Sequence, residues 1–174
     1  MKMGPSAMKL LRFAHLGLVI LFVGGVVAAT VLAFSIDVSS YPSALAGTSA
    51  MRTIFNDVVR IGSVGTVLVG LCYGFFTKWG FIRYRWLLLK WIILVAQVGA
   101  GILIIDRTIQ ANVSLVAQLG ANVVRSPQLL SNIAILKVVL VVQVVASFTA
   151  IAVANWRLGT GLRHREAPPT SQSS

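Results

Sequence analysis

The chain has 174 residues, 57% of them hydrophobic and only 11% charged, with a mean hydropathy of +0.87. A soluble domain carries about 25% charged residues, so this composition excludes a water-covered globule and makes lipid the main solvent. The net charge of +11, from 15 Lys+Arg against 4 Asp+Glu, sits mainly beside apolar stretches, where it marks membrane orientation and attracts anionic headgroups rather than nucleic acid.

A basic segment with Lys2, Lys9 and Arg12 leads into the first apolar stretch, residues 13–36. That stretch is longer than the roughly 7–15 residues of a signal-peptide core, so it reads as an uncleaved span. Residues 37–50 read as a small-residue loop containing Tyr41-Pro42, and the second span follows at residues 58–76. A short turn carries Lys78, Arg83 and Arg85 together with Trp79, Tyr84 and Trp86, the amphipathic aromatics expected at headgroup level. The third span is residues 86–105.

Residues 107–128 repeat apolar side chains at Ile109, Val113, Val116, Leu119 and Val123. This spacing predicts a helix, either lying on the outer membrane surface or extending span three. Its Asn112-Val113-Ser114 matches a glycosylation sequon. The fourth span, residues 129–154, is followed by Trp156 and by Arg157, Arg163 and Arg165. The Pro- and Ser-rich tail, residues 166–174, is predicted to be disordered. The single Cys72 excludes an intrachain disulfide.

About 20 apolar residues cross roughly 30 Å of hydrocarbon, so residues 1–165 read as one all-α domain, an up-down-up-down bundle of four transmembrane helices. The basic residues crowd both termini and the short turn between spans two and three, while Arg52, Arg107 and Arg125 are spread over longer loops. The positive-inside rule therefore predicts both termini in the cytoplasm.

Small residues let membrane helices approach closely. Gly24-Gly25 in span one, Gly70 and Gly74 in span two, and Ala146 and Ala150 in span four are the packing candidates, with Ala96, Gly99, Ala100 and Gly101 in span three. The bundle packs on itself through these faces, or offers one to a second copy or a partner subunit.

Ionisable residues within spans are costly and point to function. His15 and Lys90 lie at similar depths, about 4–5 Å inward of Arg12 and about 7–8 Å inward of Arg85 respectively at 1.5 Å per residue. Gln97 follows Lys90 by seven residues on the same helical face, and Gln143 has a comparable depth on span four, placed to hydrogen-bond with it. Towards the other side, Asp57 is expected to pair with Lys137 or Arg60 and fix helix register. His15 reads either as an interfacial imidazole or as a haem ligand or quinone-pocket residue, and Lys90 either snorkels or joins it. No clustered Cys/His metal site, P-loop, dinucleotide fingerprint or serine triad is present.

Arg12-Phe13-Ala14-His15-Leu16, followed by Gly24-Gly25, resembles the first-span pattern of copper-resistance D-type membrane proteins and of bacterial membrane-bound protoporphyrinogen oxidases. Tyr84-Arg85-Trp86-Leu87-Leu88-Leu89-Lys90-Trp91 is similar to the start of the third span in the same group, and residues 77–105 are similar to a family of small bacterial four-helix membrane proteins of unassigned function. The resemblance implies a four-helix membrane bundle with His15 and Lys90 at the haem-associated positions. Later spans carry no histidine, so it implies neither the oxidase activity nor copper transport. The expected function is a non-enzymatic accessory or structural component of the bacterial cytoplasmic membrane. The alternatives are a haem- or quinone-associated redox protein with its site at His15, Lys90 and Gln97, and then a small transporter, which the scarcity of acidic groups in the spans disfavours.

Overall fold

The computed structural model describes residues 4–76 and 85–156. The turn residues Lys78, Trp79, Arg83 and Tyr84 and everything from Arg157 onward, the predicted tail included, lie outside the described residues. Among the described residues the fold is all-α, and four helices are long and apolar enough to cross a membrane: Ser6–Ser35, Tyr41–Phe75, Leu88–Val123 and Pro127–Ala154.

Helix α1 spans Pro5–Ser35, with Pro5 in its first turn where no N–H is required. Phe22, Val26, Ala29 and Ala33 are buried. Their spacing of four, three and four residues keeps them on one face, and the two alanines let neighbouring backbones come close.

The segment expected to be a loop from residue 37 to 50 is helical from Tyr41 onward, which corrects that reading. Helix α2, Tyr41–Thr53, starts at Ser40, whose hydroxyl accepts from the Ser43 N–H, and it carries a proline in its first turn. A serine N-cap followed by an early proline is a helix start signal. A π-helical turn, Ile54–Val59, joins α2 without a break to α3, Arg60–Phe76.

Span three is built in the same way. Helix α4, Arg85–Ala100, passes through a π-helical turn at Gly101–Asp106 into α5, Arg107–Leu119. Of residues 107–128, those to Val123 thus continue span three, and Pro127 and Gln128 begin the next helix. Gly120, at φ 51°, ends α5 in a conformation that favours glycine, and a 3₁₀ turn, Gly120–Arg125, leads to α6, Pro127–Trp156.

Helix α1 packs against α3 and α6, α4 packs against α6, and α2 packs against α5. One apolar cluster draws on all four spans, including Phe22, Phe55, Ile105 and Leu140. A second cluster of Ala44, Val116, Val123, Leu129 and Ile133 closes the end remote from the N terminus. The Asn132 side-chain amide donates to Asn112 Oδ1 at 2.8 Å beside it. Asn112 is buried, so the sequon side chain faces the core and is closed to a glycan. Among the described residues the packing at the N-terminal end runs α3–α1–α6–α4, with little backbone contact between α3 and α4.

Candidate functional site

At the N-terminal end, side chains of α1, α3 and α4 come together around His15 and mark out a candidate cleft. His15 precedes Phe22 by seven residues, so it continues the buried stripe of α1 and turns inward. Its Nδ1 is buried and has no hydrogen-bond partner. Tyr73 on α3 meets the imidazole edge-on, with ring centroids 5.7 Å apart and planes at 81°. One turn before His15, the Arg12 guanidinium lies within hydrogen-bonding reach of the Tyr73 hydroxyl.

From α4, Lys90 is half-buried and within electrostatic reach of His15. The Trp91 ring approaches the position a Cβ on Gly70 would take to 3.5 Å, so its indole spans the gap between α4 and α3. The structure therefore gathers His15, Lys90, Arg12, Tyr73 and Trp91 at one end of the bundle. Arg12 and Tyr73 were legible only as an interfacial cation and a span residue; one-dimensional spacing does not bring them to His15.

Gln97 belongs elsewhere. Its Nε2 donates to the Gln143 carbonyl at 2.9 Å and to Ser147 Oγ at 2.8 Å, while Gln143 Nε2 donates to the Gln97 carbonyl at 2.9 Å. Its amide is thus engaged by α6. Gln143 Oε1 and Thr66 Oγ1 are buried without partners.

The anticipated pairing of Asp57 with Lys137 or Arg60 is corrected. Asp57 is exposed on the π-helical turn. Arg60, just past that turn, instead reaches across to Asp106 at 2.9 Å, and Gln110 Nε2 donates to the other Asp106 oxygen at 2.9 Å. Lys137 stands 5.3 Å from the Phe34 ring centroid, a cation–π contact. Asp106 immediately follows the last apolar residue of span three, so the hydropathy pattern gives no sign of its partner.

The packing candidates also divide. A Cβ on Gly25 would come within 2.9 Å of Val58 Cγ1 and Val59 Cγ2, whereas nothing lies within 4 Å of one on Gly24. Consecutive helical residues point about 100° apart, so only one of this pair can face α3, and Gly24 is corrected to an outward position. Gly70 faces Trp91, and Gly74, Ala146 and Ala150 are half-buried. A close approach of backbones not signalled by the sequence pattern is at Gly62, where a Cβ would fall 2.5 Å from the Phe22 nitrogen; one on Gly65 would fall 2.5 Å from the Leu18 side-chain end. Their spacing of three escapes a search for GxxxG.

Among the described residues no group of three or more His, Cys, Asp or Glu is placed to hold a metal ion. A buried, unpartnered imidazole nitrogen beside a lysine fits the donor set that a single axial haem ligand would require. No protein-family model, curated protein or solved structure matches this chain. The fold and the cleft define a small α-helical bundle of membrane-spanning type.

Proposed function

We propose that this chain is a non-enzymatic accessory or structural component of the bacterial cytoplasmic membrane, with both termini in the cytoplasm, acting by packing against another membrane protein. The observation that carries this reading is an outward face of α1. Gly17, Gly24 and Ala28 are exposed, nothing lies within 4 Å of a Cβ added to either glycine, and spacings of seven and four align the three residues. Small residues aligned on a lipid-facing helix allow a second helix to approach closely. A photoreactive residue at the neighbouring exposed Ile20 tests the idea in native membranes. Protein adducts that disappear in Gly24→Leu support it; lipid adducts alone, from a correctly folded bundle, refute it.

The buried Nδ1 of His15 next to Lys90 favours a second reading, a haem- or quinone-associated redox protein, in line with the resemblance of these two stretches to haem-associated membrane proteins. In that case His15 would hold the cofactor and Lys90 would join it as a ligand or pair with an acidic group of it. An absorption spectrum of protein expressed with haem precursor, recorded before and after dithionite, decides the haem form. A Soret band lost in His15→Ala supports it, and a featureless spectrum at full yield removes it.

A further inference from the structure

Among the described residues, the cations at the N-terminal end of the bundle have no acidic side chain beside them. The chain's four acids are Asp37, Asp57, Asp106 and Glu166. Asp37 follows the far end of α1, Asp57 and Asp106 belong to the π-helical turns, and Glu166 lies beyond the described residues. Lys90 is nonetheless half-buried in an apolar helix, beside a buried imidazole nitrogen that is itself unpartnered. An ammonium withdrawn from water without an opposite charge is costly by several kcal/mol, and a buried polar nitrogen without a partner adds to that cost. Both costs are relieved together by an anion that also accepts hydrogen bonds.

The position of the site and its residue types narrow the choice of anion. Among the described residues α3 and α4 make little backbone contact there, and the Trp91 indole reaches from α4 to Gly70 on α3. The site lies within a turn of Arg12, at the depth where basic side chains meet headgroups, and Tyr73 and Trp91 are the amphipathic types found there. A guanidinium, an ammonium, a phenol and an imidazole N–H together can donate to a phosphate on several sides. A site at this depth can take a headgroup whose acyl chains stay in the bilayer.

We infer that this cleft binds the phosphate headgroup of an anionic membrane phospholipid, with Arg12 and Lys90 supplying charge and His15 and Tyr73 supplying hydrogen bonds. The site stands whether or not the accessory reading holds, and it competes with the redox reading for the same space. Phosphate is common to lipid headgroups and to the free ion; the lipid is the assigned source.

The test is native mass spectrometry of the full chain, released from mild detergent with equal amounts of phosphatidylglycerol and phosphatidylcholine of matched chains. One phosphatidylglycerol per chain is expected to be retained in preference. Lys90→Gln and Arg12→Gln should each lower the preference about fivefold, the factor for about 1 kcal/mol per basic residue. Lys90→Arg should restore it, and Arg107→Gln at the far end should leave it unchanged. Equal retention of the two lipids overturns the proposal, as does an Arg107→Gln effect matching that of Lys90→Gln. Displacement of the lipid by millimolar inorganic phosphate would assign the site to a soluble anion and also overturn it. A tetrapyrrole adduct with a Soret band in place of the lipid would favour the redox reading. If Lys90→Gln fails to fold, Lys90→Arg and Arg12→Gln decide the matter.

Discussion

Gln97 and Gln143 exchange hydrogen bonds reciprocally, each side-chain amide donating to the other's backbone carbonyl at 2.9 Å. The pair ties α4 to α6 where the helices are otherwise apolar, and Ser147 adds a contact to Gln97 at 2.8 Å. Polar contacts between membrane helices are worth about 0.6 to 1.7 kcal/mol. Gln97→Leu and Gln143→Leu should each destabilise the bundle by about 1 kcal/mol. The double variant should lose about the sum, because each bond ends on a backbone carbonyl that the other substitution leaves in place. Unfolding in mixed micelles measures the cycle, and strict additivity would show that the two bonds are independent.

Three glycines offer a graded test of helix approach. Gly62→Ala places a Cβ 2.5 Å from the Phe22 nitrogen and 2.7 Å from its Cα, so backbone must move, at about 1–3 kcal/mol. Gly25→Ala meets the valine methyls of α3's N-terminal approach at 2.9 Å and should cost less, since side chains can turn. Gly24→Ala meets nothing within 4 Å and should be neutral or stabilise by up to about 1 kcal/mol through helix propensity. The same unfolding assay ranks them.

Asp37 lies in the link between α1 and α2, outside the spans. The Ser39 N–H donates to its Oδ1 at 2.8 Å and the Ser39 hydroxyl to its Oδ2 at 2.9 Å. The backbone bond first, and the hydroxyl bond after it, hold this carboxyl below the ordinary carboxylate range. A depressed folded-state pKa means that the contribution is present above the unfolded value and is lost as pH falls through the folded one. The difference in thermal midpoint between wild type and Asp37→Ala should therefore be constant near neutrality and shrink on acidification below about pH 4. A difference that does not change with pH would rule this linkage out.

The 35-residue helix Tyr41–Phe75 is about 52 Å long at 1.5 Å per residue, against about 30 Å of hydrocarbon. The α2–α5 end should therefore stand in water. In a Cys72→Ser background, Ser49→Cys and Ser114→Cys, both at exposed positions, should react with a membrane-impermeant maleimide, while Val95→Cys on the lipid-facing side of α4 should not. Labelling from outside intact cells also tests the cytoplasmic placement of the termini, and protection of Ser49→Cys on both sides of the membrane would contradict the raised cap.

The four spans were legible because hydrocarbon thickness imposes a length that few other constraints share. The α5 extension was legible as a helix from its apolar repeat, with its placement open; α2 was not, because it is built from small and polar residues whose helical pattern is weak, and only the Ser40-Tyr41-Pro42 start signals it. The Gln97–Gln143 contact could be read from matched depth in opposed apolar helices, where a polar side chain has few alternatives. The Arg60–Asp106 bridge could not, since two π-helical turns alter which residues face one another and leave no signature in the hydropathy pattern. His15 and Lys90 could be matched in depth along their helices. The convergence of Arg12, Tyr73 and Trp91 on them depends on α3 and α4 standing apart, a property of the whole bundle.

The paired π-helical turns also set a phase. A π turn amounts to one residue inserted into an α-helix, and one residue turns everything beyond it by about 100°. Ile54–Val59 and Gly101–Asp106 interrupt adjoining spans beside the Arg60–Asp106 bridge, and the apolar faces of α2 and α5 meet beyond them. Removing one residue from either turn would rotate one of these faces away from its mate. Both helices are right-handed, so removing one residue from each would turn the two faces in the same sense and leave them aimed to opposite sides. The length of each turn is thus fixed by the contact that lies beyond it.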